Sequence, residues 1–109
     1  MMRPPMSPAA IGLLRSLIAR GEIEKDKILL TSFESSDWHS LTFSGERHEI
    51  SLRLVGDDAI AAAQRLLANI ADAEWRIPGS IVADIGLDER ADGEDGSVAL
   101  RLEALTVLE

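Results

Sequence analysis

The chain has 109 residues, 46% of them hydrophobic and 28% charged, which fits one globular domain with a single modest core. It contains no cysteine, and this excludes a disulfide framework, thiolate chemistry and cysteine-based zinc or iron–sulfur sites. The formal charge is −8; Arg3, Arg15 and Arg20 are the only charges in residues 1–20, leaving 8 basic against 19 acidic residues beyond them, so nucleic-acid binding is not expected.

The opening MMRPPMSPAAIGLLRSLIARG predicts an amphipathic helix, with Ser7 as N-cap, Pro8 at the first helical position, Gly21 after the end, and Ile11, Leu14 and Ile18 as the apolar stripe. Arg15 interrupts the apolar run, so a secretory signal fits poorly, and no stretch approaches the roughly 18 apolar residues of a membrane span. The arginines and missing acids also suit an organellar transit peptide, but the capping residues favour the helix. The charged segment Glu22–Lys27 reads as a connector, dividing the chain into an N-terminal helix and connector, 1–27, and an α+β domain, 28–109.

ILLTSFESSDW is β-prone without a clean period; it either extends the next strand backward through a bulge or forms a short strand of its own. In SLTFSGERHEISLRLV, residues 40–55, alternation and the Gly45-Glu46 pair predict a hairpin with a two-residue type II′ turn. That turn sets Leu41 opposite Ile50, Phe43 opposite His48 and Thr42 opposite Glu49. DDAIAAAQRLLANIADAEW, from an Asp57 cap, is the strongest helix signal, with Ile60, Ala63, Leu67 and Ile70 down one side and Pro78-Gly79 beyond it. A second hairpin follows about Asp92-Gly93, pairing Leu87 with Val98, Ile85 with Leu100, Asp84 with Arg101 and Arg90 with Asp95.

The resulting order is α-β-β-α-β-β, an α+β two-layer sandwich: a mainly antiparallel four-stranded sheet of two hairpins, one central helix and an additional N-terminal helix. The central helix is expected to bury Ile60, Leu67 and Ile70 against Leu41, Phe43, Ile50, Leu52, Ile85 and Leu100. Periodicity leaves open which strands of the two hairpins meet.

The candidate catalytic residues are His39 and His48, which alternation places on the inward face of the first hairpin. Their offset of four residues, about 13 Å, separates them too far to share a metal ion, and each is expected at a core rim with a wet edge. DERADGEDG matches an EF-hand loop at Asp88, Asp92 and Gly93, but Arg90 and Ala99 occupy ligand positions, so a solvated hairpin tip is expected. No G-x-S-x-G, P-loop, G-x-G-x-x-G or H-E-x-x-H occurs, and no cofactor or metal site is expected. Trp38 and Trp75 are expected to anchor a core edge or a contact surface.

The C-terminal strand places Leu105 and Val107 on its outer face, where Val82 and Ala99 would extend them into an apolar strip. Either the N-terminal helix, through Ile11, Leu14 and Ile18, covers that strip, or a second copy does. The expected function is therefore a self-associating interaction or structural module in the cytoplasm, a homodimer. The alternative is a small-molecule-binding or enzymatic domain with a cleft near His39 or His48.

Overall fold

The computed structural model describes residues 6–109, so Arg3 lies outside it. The elements are α1 (Pro8–Gly21), β1 (Ile28–His39), β2 (Ser44–Leu54), α2 (Ala59–Leu67), β3 (Ser80–Asp92) and β4 (Val98–Leu108), with 3₁₀ turns at Lys25–Lys27 and Ile70–Asp72. All four strands form one antiparallel sheet in the order β1-β2-β4-β3, so the second strands of the two hairpins meet at its centre. This is the α+β fold expected from the pattern.

Both helices contribute to one core. α2 packs on β2 and β4, and α1 packs against α2. Leu13 and Leu17 of α1 and Leu66 of α2 join Ile50, Leu52, Leu54, Val98, Leu100 and Leu102 from the two central strands, all essentially excluded from solvent. Each such side chain contributes about 1.5–3 kcal/mol by leaving water.

α1 starts where its sequence says it should: Ser7 Oγ accepts the Ala10 N–H at 3.1 Å, and Pro8 occupies a first-turn position with no N–H to satisfy. At its other end Gly21 is the last helical residue, and Glu22 takes the left-handed cap at φ 51°. The buried stripe is Ala9, Ala10, Leu13 and Leu17; Ile11 is exposed, while Leu14 and Ile18 are half-buried. α2 is shorter than predicted, because Asn69 adopts φ 50° and the chain continues as a 3₁₀ turn. It buries Ala59, Ala62, Ala63 and Leu66, Ile70 is buried in the turn that follows, and Ile60 is exposed.

Each helix closes the other's C-terminal end. Arg20 of α1 donates from Nε to the Leu66 carbonyl at 2.9 Å and from Nη2 to that of Ala68, while Arg65 of α2 donates from Nε to the Gly21 carbonyl at 2.9 Å. These are the carbonyls that a helix end leaves without partners, and a guanidinium is favoured at the negative end of the helix dipole.

Both hairpin registers differ from the sequence expectation. Residues 28–38 are β1 itself, broken by a bulge between Leu30 and Ser32, and Phe33 faces Ile50, Ser35 faces His48 and Trp38 faces Gly45. Leu41 and Phe43 are not strand partners of Ile50 and His48. They sit exposed in the connecting loop, where Ser40 Oγ accepts from the N–H groups of Phe43 (3.0 Å) and Thr42 (3.3 Å) and so substitutes for a glycine turn. In the second hairpin, bulges between Val82 and Asp84 and between Leu87 and Glu89 displace the ladder, so Ile85 faces Ala104, Leu87 faces Leu102 and Asp84 faces Leu105. The connecting turn uses Gly96 at φ 87° in place of Asp92-Gly93.

Candidate functional site

The helix-covered face of β2 carries His48, Ile50, Leu52 and Leu54, all buried. His48 is the one ionisable group among them, and sequence reasoning placed it at a wet rim. It is fully enclosed instead, with each ring nitrogen bonded to a hydroxyl: Nδ1 to Ser35 Oγ at 2.7 Å and Nε2 to Thr106 Oγ1 at 2.9 Å. Phe33 packs edge-on to the imidazole, with centroids 5.8 Å apart and planes at 72°. Thr106 is buried and directs its O–H toward the Glu46 carbonyl at 3.5 Å. Nε2–H therefore donates to Thr106 and Nδ1 accepts the Ser35 O–H, a neutral tautomer with both edges satisfied. Burial lowers the imidazole pKa below its ordinary value, opposed by the charge of Glu46.

A serine O–H aimed at a neutral imidazole is also the first contact of a nucleophile–base pair. Here the second nitrogen meets a hydroxyl and no carboxylate, and desolvation weakens the ring as a base. The arrangement joins β1, β2 and β4 through their side chains. The hydroxyl partners were not legible in the sequence, because they depend on the register of β1.

His39 lies at the exposed end of the same sheet face, with Nδ1 3.2 Å from Ser44 Oγ. It stands four residues along β1 from Ser35, the residue opposite His48, so the structure does not bring the two histidines together. Among the described residues no group of three or more His, Asp or Glu side chains is placed to hold a metal ion, and no helix is long and apolar enough to cross a membrane. The acidic tip turns on Asp95, which accepts the Ser97 N–H at 3.0 Å and its O–H at 2.6 Å, contacts that lower the carboxylate pKa.

Among the described residues, no helix lies on the other sheet face. Its central rows are charged: Arg47 pairs with Glu103 at 2.6 Å, and Arg101 approaches Glu89 at 3.8 Å and Asp88 at 4.0 Å. Open clefts of about 280 Å³ near Arg53, Glu89 and Arg101 and about 250 Å³ near Arg47, Asp84 and Glu103 lie between these side chains, and neither histidine lines them.

One end of this face is apolar, where register aligns Trp38, Gly45, Val107 and Ile81 beside Leu105. Leu105 and Val107 are half-buried there, as is Ala99 at the other end of the face. Val82 is not part of the strip: the bulge after it puts Val82 opposite Thr106 on the helix-covered face, packed on the core. Nor does α1 cover the strip, because it docks on α2 at the opposite side of the sheet. Compared with family models, curated proteins and solved structures, the chain matches none of them.

Proposed function

We propose that the chain is a self-associating interaction module that works as a homodimer. The observation that carries this reading is the distribution of its exposed large apolar side chains. Among the described residues, four of the nine flank the open edge of β1: Leu29 and Leu30 at its start, Leu41 and Phe43 in the loop just past its end. Leu41, at 107% relative exposure, projects entirely into solvent. Side chains of this size scattered singly need no explanation, but a pair at each end of one open strand edge marks a contact surface. The absence of cysteine suits a reducing compartment, and the reading places the module in the cytoplasm.

Sedimentation equilibrium across about 1–100 μM tests the proposal. A twofold mass that falls only on dilution is the expected result, and a monomer throughout that range refutes it.

A further inference from the structure

The sheet has two free edges, and they differ. β3 carries two bulges and the charged run Asp88, Glu89, Arg90 and Asp92, the devices that keep an edge from pairing. β1 has one bulge near its start and then runs regularly from Ser32 to His39, with Glu34 and Asp37 as its only acids and no lysine or proline. Its outward backbone groups follow from the hairpin loop. The Ser40 N–H bonds the Phe43 carbonyl at 2.8 Å, so by antiparallel alternation Ser36 and Trp38 direct their N–H and C=O toward β2. Those of Phe33, Ser35, Asp37 and His39 point away from the sheet.

We infer that β1 pairs antiparallel with β1 of a second copy across a twofold axis at Ser36, extending two four-stranded sheets into one of eight. The inference rests on the homodimer reading and names its surface. Matching the covered faces of the two sheets requires partner numbers with an even sum. Centring on Glu34 or Asp37 would set like carboxylates opposite each other, which is unfavourable. Centring on Ser35 places Asp37 against Phe33. Centring on Ser36 places Asp37 against Ser35 and Phe33 against His39, with Glu34 beside Trp38. The same register carries the Leu41 and Phe43 loop of each copy, about 17 Å from the axis, toward the Leu29–Leu30 start of the other β1. Apolar groups exposed at opposite ends of one strand are thereby brought together, which an isologous contact achieves and a single chain does not.

Because the chain has no cysteine, single substitutions report the register cleanly. Ser36 meets its own copy as a non-hydrogen-bonded pair, with Cα atoms about 4.5 Å apart, within disulfide range. Under mild oxidation Ser36→Cys should cross-link to dimer at least tenfold faster than Ser35→Cys or Ser51→Cys. Asp37→Pro removes an outward N–H at a position where an edge strand accepts proline, and should weaken dimerisation at least tenfold with the circular dichroism unchanged. If that variant does not fold, Leu29→Lys, exposed in the single chain, serves in its place with the same expected loss. A wild-type monomer overturns the homodimer reading and this interface together. A dimer in which Ser36→Cys is no faster than the controls, and which Leu105→Lys dissociates, overturns this interface alone and moves the contact to the Leu105–Val107 end of the open face.

Discussion

At the residue scale, the buried imidazole shows how a polar group is accommodated in a small core. His48 has two hydroxyl partners, and they are not equivalent. Thr106 is fully buried, so replacing it with the near-isosteric Val strands Nε2–H where water cannot reach it, at a cost of about 1–3 kcal/mol. Ser35 is exposed, so in Ser35→Ala water can take over at Nδ1, and the loss should be about 1 kcal/mol or less. Urea denaturation of the two variants measures the difference. If Ser35→Ala proved the costlier, the anchor of this network would be β1 and not the central strand. Arg20 and Arg65 follow the same logic at helix ends, each satisfying carbonyls of the neighbouring helix.

At the element scale, the glycines separate a turn signal from a packing signal. Gly45 invites a turn reading, yet it lies inside β2 against β4, where an added Cβ would fall 1.9 Å from the Thr106 carbonyl oxygen. A glycine in a strand marks a close backbone approach as readily as a turn. Gly45→Ala should therefore cost roughly 1–3 kcal/mol or more, because backbone on both strands must move. Gly86 has nothing within 4 Å of the same position, so Gly86→Ala should be neutral or stabilise by up to about 1 kcal/mol. Thermal unfolding of the pair is the check, and equal melting temperatures would contradict the packing argument.

The same elements show what the chain made legible. Alternation fixed the covered face of β2 and β4 through Ile50, Leu52, Leu100 and Leu102, and the strand order in sequence, with turn residues marking the breaks. Register was not legible, since pairs may slide by an even number of residues without any side chain changing face. The first hairpin slid in that way, helped by a serine-built loop at Ser40; in the second, bulges beside Ala83 and Asp88 also switch the face of the residues beyond them, Val82 among them, and none of these features disturbs composition. The site suffered most, because the hydroxyl partners of His48 are set by the pairings that alternation leaves free.

At the scale of the whole molecule, the pH dependence of folding joins the buried imidazole to global stability. Desolvation lowers the His48 pKa in the folded chain relative to the ordinary value of 6.5, so below that value the unfolded chain binds more protons than the folded one. Stability is therefore retained above about pH 6.5 and falls as pH drops through the lowered folded value, until both states are protonated. Asp92, held by Arg90, and Asp95, held by Ser97, have carboxylate pKa values shifted the same way and add further loss only in more acid solution, below the ordinary carboxylate value of 3.8. The two windows are separable. His48→Gln, which can still bond Ser35 or Thr106, should flatten the slope that sets in below about pH 6.5 while leaving the carboxylate region unchanged. Urea midpoints for both proteins from about pH 2.5 to 8 measure this, and parallel curves just below pH 6.5 would show that His48 is not the group responsible. If β1 pairs with a second copy, the measurement belongs at a fixed chain concentration, because dimerisation stabilises the folded state by mass action and would otherwise enter the slope.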